Sequence, residues 1–506
     1  MSSLGLSAHY SDRSLGLSKS GNGENYMTRL FRAPILLLAV LAAVLVPADA
    51  ASASVVDNGV LDAWYSSGSV WAVDLSGDVV YFGGDFKAAK SPDGARKGRG
   101  NVAAISRQSG ELLQAFDVET DGLVRAIESD GETVWIAGDF TTVNGQYRPY
   151  LAAVDARTGE IDSNFSAAPN KPVYAIDHAG GRLYVSGSFF RMNGSRMRRV
   201  ASLDPVTGAP DYGFAAESDS IVRTVELSNN GSFLLVGGGF QNIGNQPRRA
   251  LAMLDPNTGA ALPSNFPADL SPVLGVATND DDSQIFAAFG GSEGGPLFGW
   301  NNRVGAFDTA TSANQWWHRA DGDVQAIGFH DGYVYFGFHD SFSSDESLRM
   351  LRATTTGAID YSWLPTIDSR RGVLAIDVNS DGLAAGGKFK NINGTFQKGL
   401  ALWVSSSVTA PDVVNPDLVP PSTPTGLTVT RNNGNVVKLQ WNDDSTDDRF
   451  VAGYRVYRNG ELLKETGYGA HPDWNPLPGA SAVYEVRALD SGGNESVSAS
   501  VTVDVP

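Results

Sequence analysis

The sequence predicts an all-β protein whose main part is a seven-bladed β-propeller, a ring of seven small antiparallel sheets. Seven short apolar segments support this prediction, and their first residues lie 54, 49, 49, 51, 51 and 49 positions apart. A period of roughly 40–50 residues built from short strands is typical of one four-stranded blade per repeat. The segments begin at Val70, Val124, Val173, Val222, Val273, Val324 and Val373.

The second repeat shows what one blade contains. Residues 124–127 are a short apolar strand, and the β-branched and aromatic residues of 133–140 predict a second strand. Residues 151–154 predict a third strand and residues 160–165 a fourth. The turn between the last two, 155–159, begins with an Asp that can accept backbone N–H groups and ends with a Gly that can adopt a positive φ.

The two ends of the repeat region predict that the ring closes. The seventh repeat stops after its third strand, residues 400–403, with no fourth strand behind it. Residues 59–64 match the missing piece, because they are similar to 159–165 and 357–363. The first strand of the chain is therefore expected to complete the last blade and to leave no open sheet edge.

The amino terminus, residues 1–54, is expected to be a leader. Two arginines precede an apolar run, 33–46, and small residues follow it. This order is typical of a secretory signal peptide that begins at Met27 and is cleaved between Ala50 and Ala53. The run is too short to span a bilayer comfortably. A membrane anchor is the alternative, and the mature chain is expected to have no transmembrane segment.

Composition narrows the functional classes. The chain has no cysteine, which excludes cysteine nucleophiles and cysteine-bound zinc or haem, and its formal charge of −18 argues against nucleic acid as a partner. Two aspartate-rich runs, 280–282 and 443–448, invite a calcium interpretation. Their spacing fits no established calcium loop, so acids in solvated turns are the favoured interpretation. We therefore expect no cofactor and no bound metal.

A second domain is expected after a linker rich in proline and serine, residues 405–423. From residue 424 a new alternation of strands begins, most clearly at 439–441, 453–458 and 483–490. These segments resemble a fibronectin type III domain. That resemblance implies a β-sandwich over residues 424–506.

The repeats of residues 55–404 also resemble a known family. They carry Gly-Asp-Phe, Asn-Gly and Leu-Ala-x-Leu-Asp-x-x-Thr-Gly elements. These elements are similar to those of the delta-60 repeat propellers of exported bacterial proteins. The resemblance implies a propeller fold and a secreted setting, and it brings no catalytic residues.

Any binding site is expected on the propeller face that carries the long, variable loops, because function on rigid scaffolds concentrates in such loops. Just before the third strand, six of the seven repeats carry a basic residue, and a tryptophan lies in the most divergent loop. The candidate ligand-binding residues are Arg99, Arg148, Arg198, Arg199, Arg248, Arg249, Arg303, Lys398 and Trp300.

These candidate residues have two interpretations. A basic rim could meet carboxylated or phosphorylated glycans, with arginine forks on the anion and Trp300 stacked on a sugar ring. Alternatively, each arginine pairs with an acidic neighbour and locks adjacent blades, and Trp300 packs over a blade edge. Because the basic residues recur at equivalent positions, the structural interpretation is favoured.

Three functions remain open at this point. The first is a secreted, non-catalytic binding or adhesion protein of the cell envelope or extracellular matrix, with a polysaccharide or a cell-surface protein as partner. The second is an extracellular polysaccharide-degrading enzyme, a glycoside hydrolase or lyase with two carboxylates near the channel mouth. The third is a structural surface component. The sequence favours the first and does not specify the oligomeric state.

Overall fold

The computed structural model describes residues 55–291, 300–406, 419–442, 444–446, 451–466, 469–490 and 494–506. All regular secondary structure in these ranges is β-strand. None of the described residues belongs to a helix that could cross a bilayer. The predicted leader, most of the predicted linker and part of the 443–448 run lie outside the described residues.

The described residues of 55–406 form seven main antiparallel sheets, which we number sheet 1 to sheet 7 in chain order, and smaller sheets in the loops. Each of the seven apolar segments lies in the first strand of one sheet. The first strands are Ser69–Ser76, Val124–Ser129, Val173–Ala179, Val222–Leu227, Val273–Thr278, Val324–His330 and Val373–Asn379. The second strands are Val79–Asp85, Thr133–Gly138, Arg182–Gly187, Leu234–Gly238, Gln284–Phe289, Tyr333–Phe338 and Gly382–Gly387. The third strands are Val102–Ser106, Leu151–Asp155, Val200–Leu203, Leu251–Leu254, Arg303–Asp308, Met350–Thr354 and Leu400–Ser406.

The seven first strands follow one another in a cycle. Each contacts the first strand of the next sheet, and that of sheet 7 contacts that of sheet 1. A glycine in the second strand allows this close approach, since a Cβ on Gly386 would lie 2.7 Å from a methyl carbon of Val70. A Cβ on Gly337 would meet Val373 at the same distance. Substitution of these glycines would therefore push neighbouring sheets apart.

Sheet 7 takes its fourth strand from the beginning of the described chain. Val55–Val60 pairs antiparallel with Leu400–Ser406, so that Val55 opposes Ser406 and Val60 opposes Trp403. The backbone N–H of Leu61 then donates to the carbonyl oxygen of Leu402 at 2.8 Å. The residues that the sequence analysis assigned to this role, 59–64, thus contribute only the end of the strand.

The prediction of a fourth strand at 160–165 is wrong. A single bridge between Val154 and Ile161 joins this segment to sheet 2. The Asp162 carboxylate accepts the backbone N–H of Asn164 at 2.8 Å, and such a local bond turns the chain away from the sheet ladder. Among the described residues, a full fourth strand occurs in sheet 5, as Asn314–Arg319, and in sheet 7.

The long loops contain short hairpins that the sequence analysis did not predict. In the loop between the second and third strands of sheet 2, Asn144 and Gly145 have φ values of 48° and 74° and form the tight turn of a hairpin, as Asn-Gly pairs commonly do. The hairpins are Ala88–Lys90 with Arg96–Gly98 and Tyr65–Ser66, Thr142–Val143 with Gln146–Tyr147, Arg191–Met192 with Ser195–Arg196, Asn242–Ile243 with Gln246–Pro247, and Asn391–Ile392 with Thr395–Phe396.

The carboxyl-terminal part forms two further sheets around a separate core. Trp441, Tyr454 and Tyr484 are buried in that core together with aliphatic side chains of both sheets. Sheet 8 consists of Thr428–Asn432, Val437–Gln440 and Ala470–Asp473. Sheet 9 consists of Glu461–Thr466, Val451–Arg458, Ser481–Asp490 and Ala499–Asp504. Two sheets that cover one apolar core form a sandwich.

The described residues belong to one compact unit, in which sheet 9 packs against sheet 5. The indole N–H of Trp317 donates to the Glu465 carboxylate, and Lys464 pairs with Asp269. Leu489 joins the apolar core around Trp317. Trp317 is buried, and the carboxyl-terminal sandwich helps to bury it.

Candidate functional site

Two cavities lie at opposite ends of the first strands of the seven sheets. One, of about 810 Å³, is lined by side chains near the start of these strands, such as Trp71, Leu274 and Gln325. We call it the loop-side cavity, because the long loops surround it. The other, of about 530 Å³, is lined by side chains near the strand ends, such as Glu128 and Asp377. We call it the turn-side cavity.

Carboxylates from five sheets line the turn-side cavity, and each accepts a backbone N–H group from the next sheet in the cycle. The Asp377 carboxylate accepts from Leu75 at 2.6 Å, and that of Asp177 accepts from Leu227 at 2.6 Å. In equivalent bonds, Glu226 accepts the backbone N–H of Thr278, Asp74 that of Ser129, and Glu128 that of His178. The five acids are Asp74, Glu128, Asp177, Glu226 and Asp377.

Burial raises the pKa of all five carboxyl groups. It raises the pKa of Asp177 and Asp377 to about 6 and that of Glu226 to about 8. For Asp74 and Glu128, burial and then the neighbouring acids hold the pKa well above its usual range. Asp74 is 8% exposed and the other four are half-buried. The narrow cavity therefore removes most of their hydration without enclosing them fully, and the lining residues include no Lys or Arg.

A carboxyl group with a raised pKa is a common feature of a general acid. In the turn-side cavity, however, the same bond recurs from sheet to sheet, and the lining includes one aromatic side chain, Phe329. Repetition of one contact is typical of a structural role in repeat proteins. The arrangement thus joins neighbouring sheets through their backbones, and sheets 5 and 6, with Ala277 and Gly328 at this position, lack the acid.

The loop-side cavity combines aromatic, basic and acidic side chains. His339 lies between two carboxylates, with Nδ1 2.9 Å from Asp340 and Nε2 3.4 Å from Asp323. Asp340 also pairs with Arg370 at 2.6 Å, and Asp323 accepts the backbone N–H of Gly291 at 2.7 Å. The other charged side chains that line the cavity are Asp85, Arg223, Arg371 and Lys388.

These contacts keep both aspartates ionised. The hydrogen bond with Asp323 raises the pKa of His339 above its ordinary value. Burial opposes ionisation of Asp323, but the bond from His339 lowers its pKa on balance, and Arg370 lowers that of Asp340. Neither carboxyl is therefore suited to donate a proton near neutral pH.

Trp71 is held in place at the loop-side cavity. The Arg125 guanidinium lies 5.6 Å from the centre of the Trp71 ring and 5.0 Å from that of Tyr174. Arg125 also pairs with Asp139 at 2.7 Å. A cation between two aromatic rings restrains both of them, so the indole is positioned before any ligand binds.

The nine candidate residues of the sequence analysis do not converge on the loop-side cavity. Arg99 is 2% exposed, bonds to the carbonyl oxygens of Gly98 and Gln114 at 2.9 and 3.1 Å, and pairs with Asp117. Other members also donate to backbone carbonyl oxygens: Arg148 to Tyr147, Arg199 to Ser188 and Phe189, Arg248 to Pro247 and Leu262, Arg249 to Leu270, and Lys398 to Ser67.

These contacts favour the structural interpretation, with carbonyl oxygens rather than carboxylates as the main partners. Arg198 differs, since it is exposed and lines a smaller cavity of about 200 Å³ beside Glu217. Ligand binding by this set of residues stays a prediction.

Trp300 packs over the edge of sheet 5, as its alternative interpretation has it. It is 7% exposed, and its ring centre lies 5.4 Å from those of Phe289 and Phe307. The guanidinium of Arg303, itself 2% exposed, lies 5.7 Å from Trp300 and 4.2 Å from Trp317. Both candidate residues of this loop therefore belong to the packing of sheet 5.

The interpretation of 280–282 as solvated turn acids is wrong for Asp282. This residue is 5% exposed, and its carboxylate accepts the backbone N–H groups of Asn229 at 2.9 Å and Asn230 at 2.8 Å. It thus joins sheet 4 to sheet 5. Within the described ranges, no group of three or more His, Asp and Glu side chains is placed to hold a metal ion.

Sequence reasoning missed Arg223, Arg371 and Lys388, and the five turn-side acids. Strand periodicity held a usable signal for some of them. The second residue of five of the seven apolar segments lines the loop-side cavity, and it is charged or amide-bearing at Arg223 and Gln325. The residue directly after the segment is acidic in five of the seven sheets. Polar residues at fixed positions of an apolar repeat therefore indicate a cavity that is lined by polar side chains.

No family model matches the chain. Chitinase Chi52 of Paenibacillus xylanexedens is 41% identical over 90 residues, which cover 17% of this chain and 17% of that protein. An alpha-amylase of Niallia circulans is 30% identical over 153 residues, which cover 29% of this chain and 12% of that protein. The chain thus spans less than a fifth of the length of either curated relative.

Several solved structures are similar at low identity. They include the Cps50 (Swd1) beta-propeller domain of Myceliophteria thermophila, with 10% identity, a TM-score of 0.44 and coverage of 68% of this chain and 99% of that chain. A chain of the mitotic checkpoint complex has 13% identity, a TM-score of 0.46 and coverage of 70% and 96%. The computationally designed Ika8 protein has 12% identity, a TM-score of 0.41 and coverage of 69% and 100%.

Proposed function

We propose that this chain is a secreted, non-catalytic protein that binds carbohydrate through the loop-side cavity. The observation that carries the proposal is the pair of partial matches, to a chitinase and to an alpha-amylase. Both names denote enzymes that act on polysaccharides, and each match is far shorter than the enzyme. Matches that cover 17% and 12% of the two enzymes suit a role in binding or presentation better than either reaction.

The proposed architecture is a seven-bladed propeller over residues 55–404, closed by its amino-terminal strand, and a fibronectin type III domain over 424–506. The cyclic contacts of the seven first strands and the pairing of Val55–Val60 in sheet 7 support the ring. The two-sheet core around Trp441 supports the second domain. We further propose a leader at 1–54, a linker at 405–423 and membership of the delta-60 repeat propellers.

The loop-side cavity suits a sugar. Its volume of about 810 Å³ lies in the usual range for small-ligand sites. Trp71, Leu123 and Leu374 offer an apolar surface to the ring face of a sugar, while Gln325 and Ser69 offer hydrogen-bond partners to its hydroxyl groups. The mixture of restrained aromatic and polar groups supports binding.

The alternative of a polysaccharide-degrading enzyme has one specific observation in its favour. The pKa of Glu226 is raised to about 8 in the turn-side cavity, with burial as the main cause and the Asp177 charge as the next. A protonated and an ionised carboxyl are the pair that a glycosidase uses. The bond from Glu226 to the backbone of Thr278 and its recurrence in other sheets favour the structural role. A structural surface component is the third candidate.

A glycan array on the purified protein, followed by reducing-end release assays on every glycan bound, tests the proposal. We expect binding without turnover, and Trp71→Ala should weaken it about tenfold through loss of the stacked surface. Trp474→Ala, at an exposed tryptophan outside this cavity, is the control and should bind normally. Turnover that Glu226→Gln abolishes would instead establish the enzyme. Absence of both binding and turnover would favour the structural component.

A further inference from the structure

We propose that the loop-side cavity selects polysaccharides that carry carboxylate groups, with Arg371, Lys388 and Arg223 as the residues that bind the anion. This inference rests on the proposed function and names the class of ligand for its site. It concerns residues outside the basic set of the sequence analysis.

The first step is the balance of charge in the cavity. Seven side chains of Asp, Arg and Lys line it, in addition to His339. Two of the three aspartates are already compensated, because Asp340 pairs with Arg370 and Asp323 faces His339. The remaining charges in the cavity are the three positive charges of Arg223, Arg371 and Lys388 and the negative charge of Asp85. In a chain with a formal charge of −18, a local excess of positive charge is unusual, and it attracts anions to the cavity.

The second step is the freedom of these cations. All three side chains are exposed. Arg371 and Lys388 make their hydrogen bonds through the backbone, from the Arg371 N–H to Ser369 at 3.2 Å and from the Lys388 N–H to Gly372 at 3.0 Å. Among the described residues, neither side chain makes an ion pair. Arg99 differs from them, because its guanidinium group donates hydrogen bonds to two backbone carbonyl oxygens.

The third step is their placement. Val373 pairs with Gly387 across the first two strands of sheet 7, so Arg371 and Lys388 lie on neighbouring chain segments at one edge of the cavity. Arg223 belongs to sheet 4, and its guanidinium lies 6.0 Å from the Tyr174 ring. A carboxylate can accept two parallel bonds from an arginine and a point contact from a lysine. Trp71 lines the same cavity and can contact the sugar ring that carries the anion.

The test measures binding of the full chain to three soluble polymers by affinity electrophoresis at low and at moderate salt. Polygalacturonate supplies carboxylates, dextran sulfate supplies sulfates, and dextran is neutral. We expect the tightest binding to polygalacturonate, weakened at least tenfold by the double change Arg371→Ala and Lys388→Ala and reduced by salt. Arg157→Ala removes an exposed arginine from a turn on the other face and should change binding less than twofold.

The remaining outcomes separate this inference from the proposed function. Equal binding of the double variant and the unchanged protein, or binding to dextran sulfate alone, overturns the inference. Binding to neutral glycans alone overturns it too but leaves the proposed function intact. Failure to bind any glycan defeats both. Unchanged thermal unfolding of the double variant, expected for two exposed side chains, shows that any loss comes from the site.

Discussion

The turn-side and loop-side cavities lie at opposite ends of the same first strands, yet their charged residues are held in different ways. At the turn side, each of five carboxylates makes the same bond to the backbone of the next sheet. At the loop side, the side chains differ from sheet to sheet, and several cations are exposed. In a repeat protein, a polar position that recurs supports neighbour contacts, while a position that varies is available for a ligand.

The largest expected effect is on stability, and it tests the recurrent basic residues. Arg99→Ala leaves the carbonyl oxygens of Gly98 and Gln114 without their donors and opens a buried space. We expect a loss of about 3 kcal/mol in the free energy of unfolding, measured by urea denaturation, with glycan binding unchanged. Arg198→Ala, at an exposed member of the same set, is the matched control. Intact stability of Arg99→Ala together with lost binding would restore the glycan interpretation of this rim.

The second prediction breaks one bond between sheets at the turn side. Asp177→Ala removes the acceptor of the Leu227 N–H and should lower the free energy of unfolding by about 2 kcal/mol. Asp177→Asn retains an acceptor oxygen and should cost less than about 0.5 kcal/mol. Denaturation of the two variants side by side measures the difference. Equal losses would mean that the charge, not the bond, matters at this position.

The third prediction concerns pH. Folded Glu226, with a pKa of about 8, binds more protons above pH 4.5 than the unfolded chain does, so its contribution to stability declines as pH rises through 8. Burial lowers the pKa of His318 and His471 to about 4, which affects stability in the opposite sense, but only below about pH 6.5. Between pH 6.5 and 9 the free energy of unfolding should therefore fall by roughly 2 kcal/mol because of Glu226.

Glu226→Gln isolates this pH effect. The amide cannot ionise, so the variant should lose the part of the decline that Glu226 causes. His339 and the other four turn-side acids, whose raised pKa acts in the same direction, contribute equally to both proteins. Urea denaturation at pH 6.5, 7.5 and 9 measures the slopes. Parallel slopes for the two proteins would show that Glu226 ionises normally in the folded state.

The smallest expected effects are on stability in a variant of the loop-side cavity and on glycan affinity in a variant of the turn-side cavity. The double change at Arg371 and Lys388 should alter the free energy of unfolding by less than about 0.5 kcal/mol, because both side chains are exposed. Glu226→Gln should leave glycan affinity unchanged within twofold. A stability loss in the first variant or an affinity loss in the second would contradict the separation of roles.

The first strands of the seven sheets were predictable from the sequence, because alternation within short apolar segments depends on local spacing alone. The seven first strands and the turn chemistry at Asp155 follow from this: the Asp155 carboxylate accepts the backbone N–H groups of Arg157 and Thr158 at 3.0 and 2.8 Å. The failure at 160–165 has a local cause too, since Asp162 competes with the sheet for a backbone N–H.

The site was less predictable, because it depends on which exposed side chains the sheets bring together. Arg371 and Lys388 are distant in sequence from Arg223 and Trp71, and nothing in their immediate surroundings marks them. The basic residues that did recur were conspicuous, but recurrence indicated packing. Trp300 was conspicuous for its loop, and the neighbouring rings of Phe289 and Phe307, which enclose it, come from other strands.

The pairing of Val55 with Ser406 has a consequence for biosynthesis. Val55–Val60 has no partner strand until some 350 further residues have been made, and closing so long a loop is entropically costly and slow. Until Leu400–Ser406 has been made, the backbone N–H and C=O groups of Val55–Val60 lack their sheet partner. Sheet 7 is completed only after Leu400–Ser406 has been synthesised, and the strands of the carboxyl-terminal sandwich follow later still.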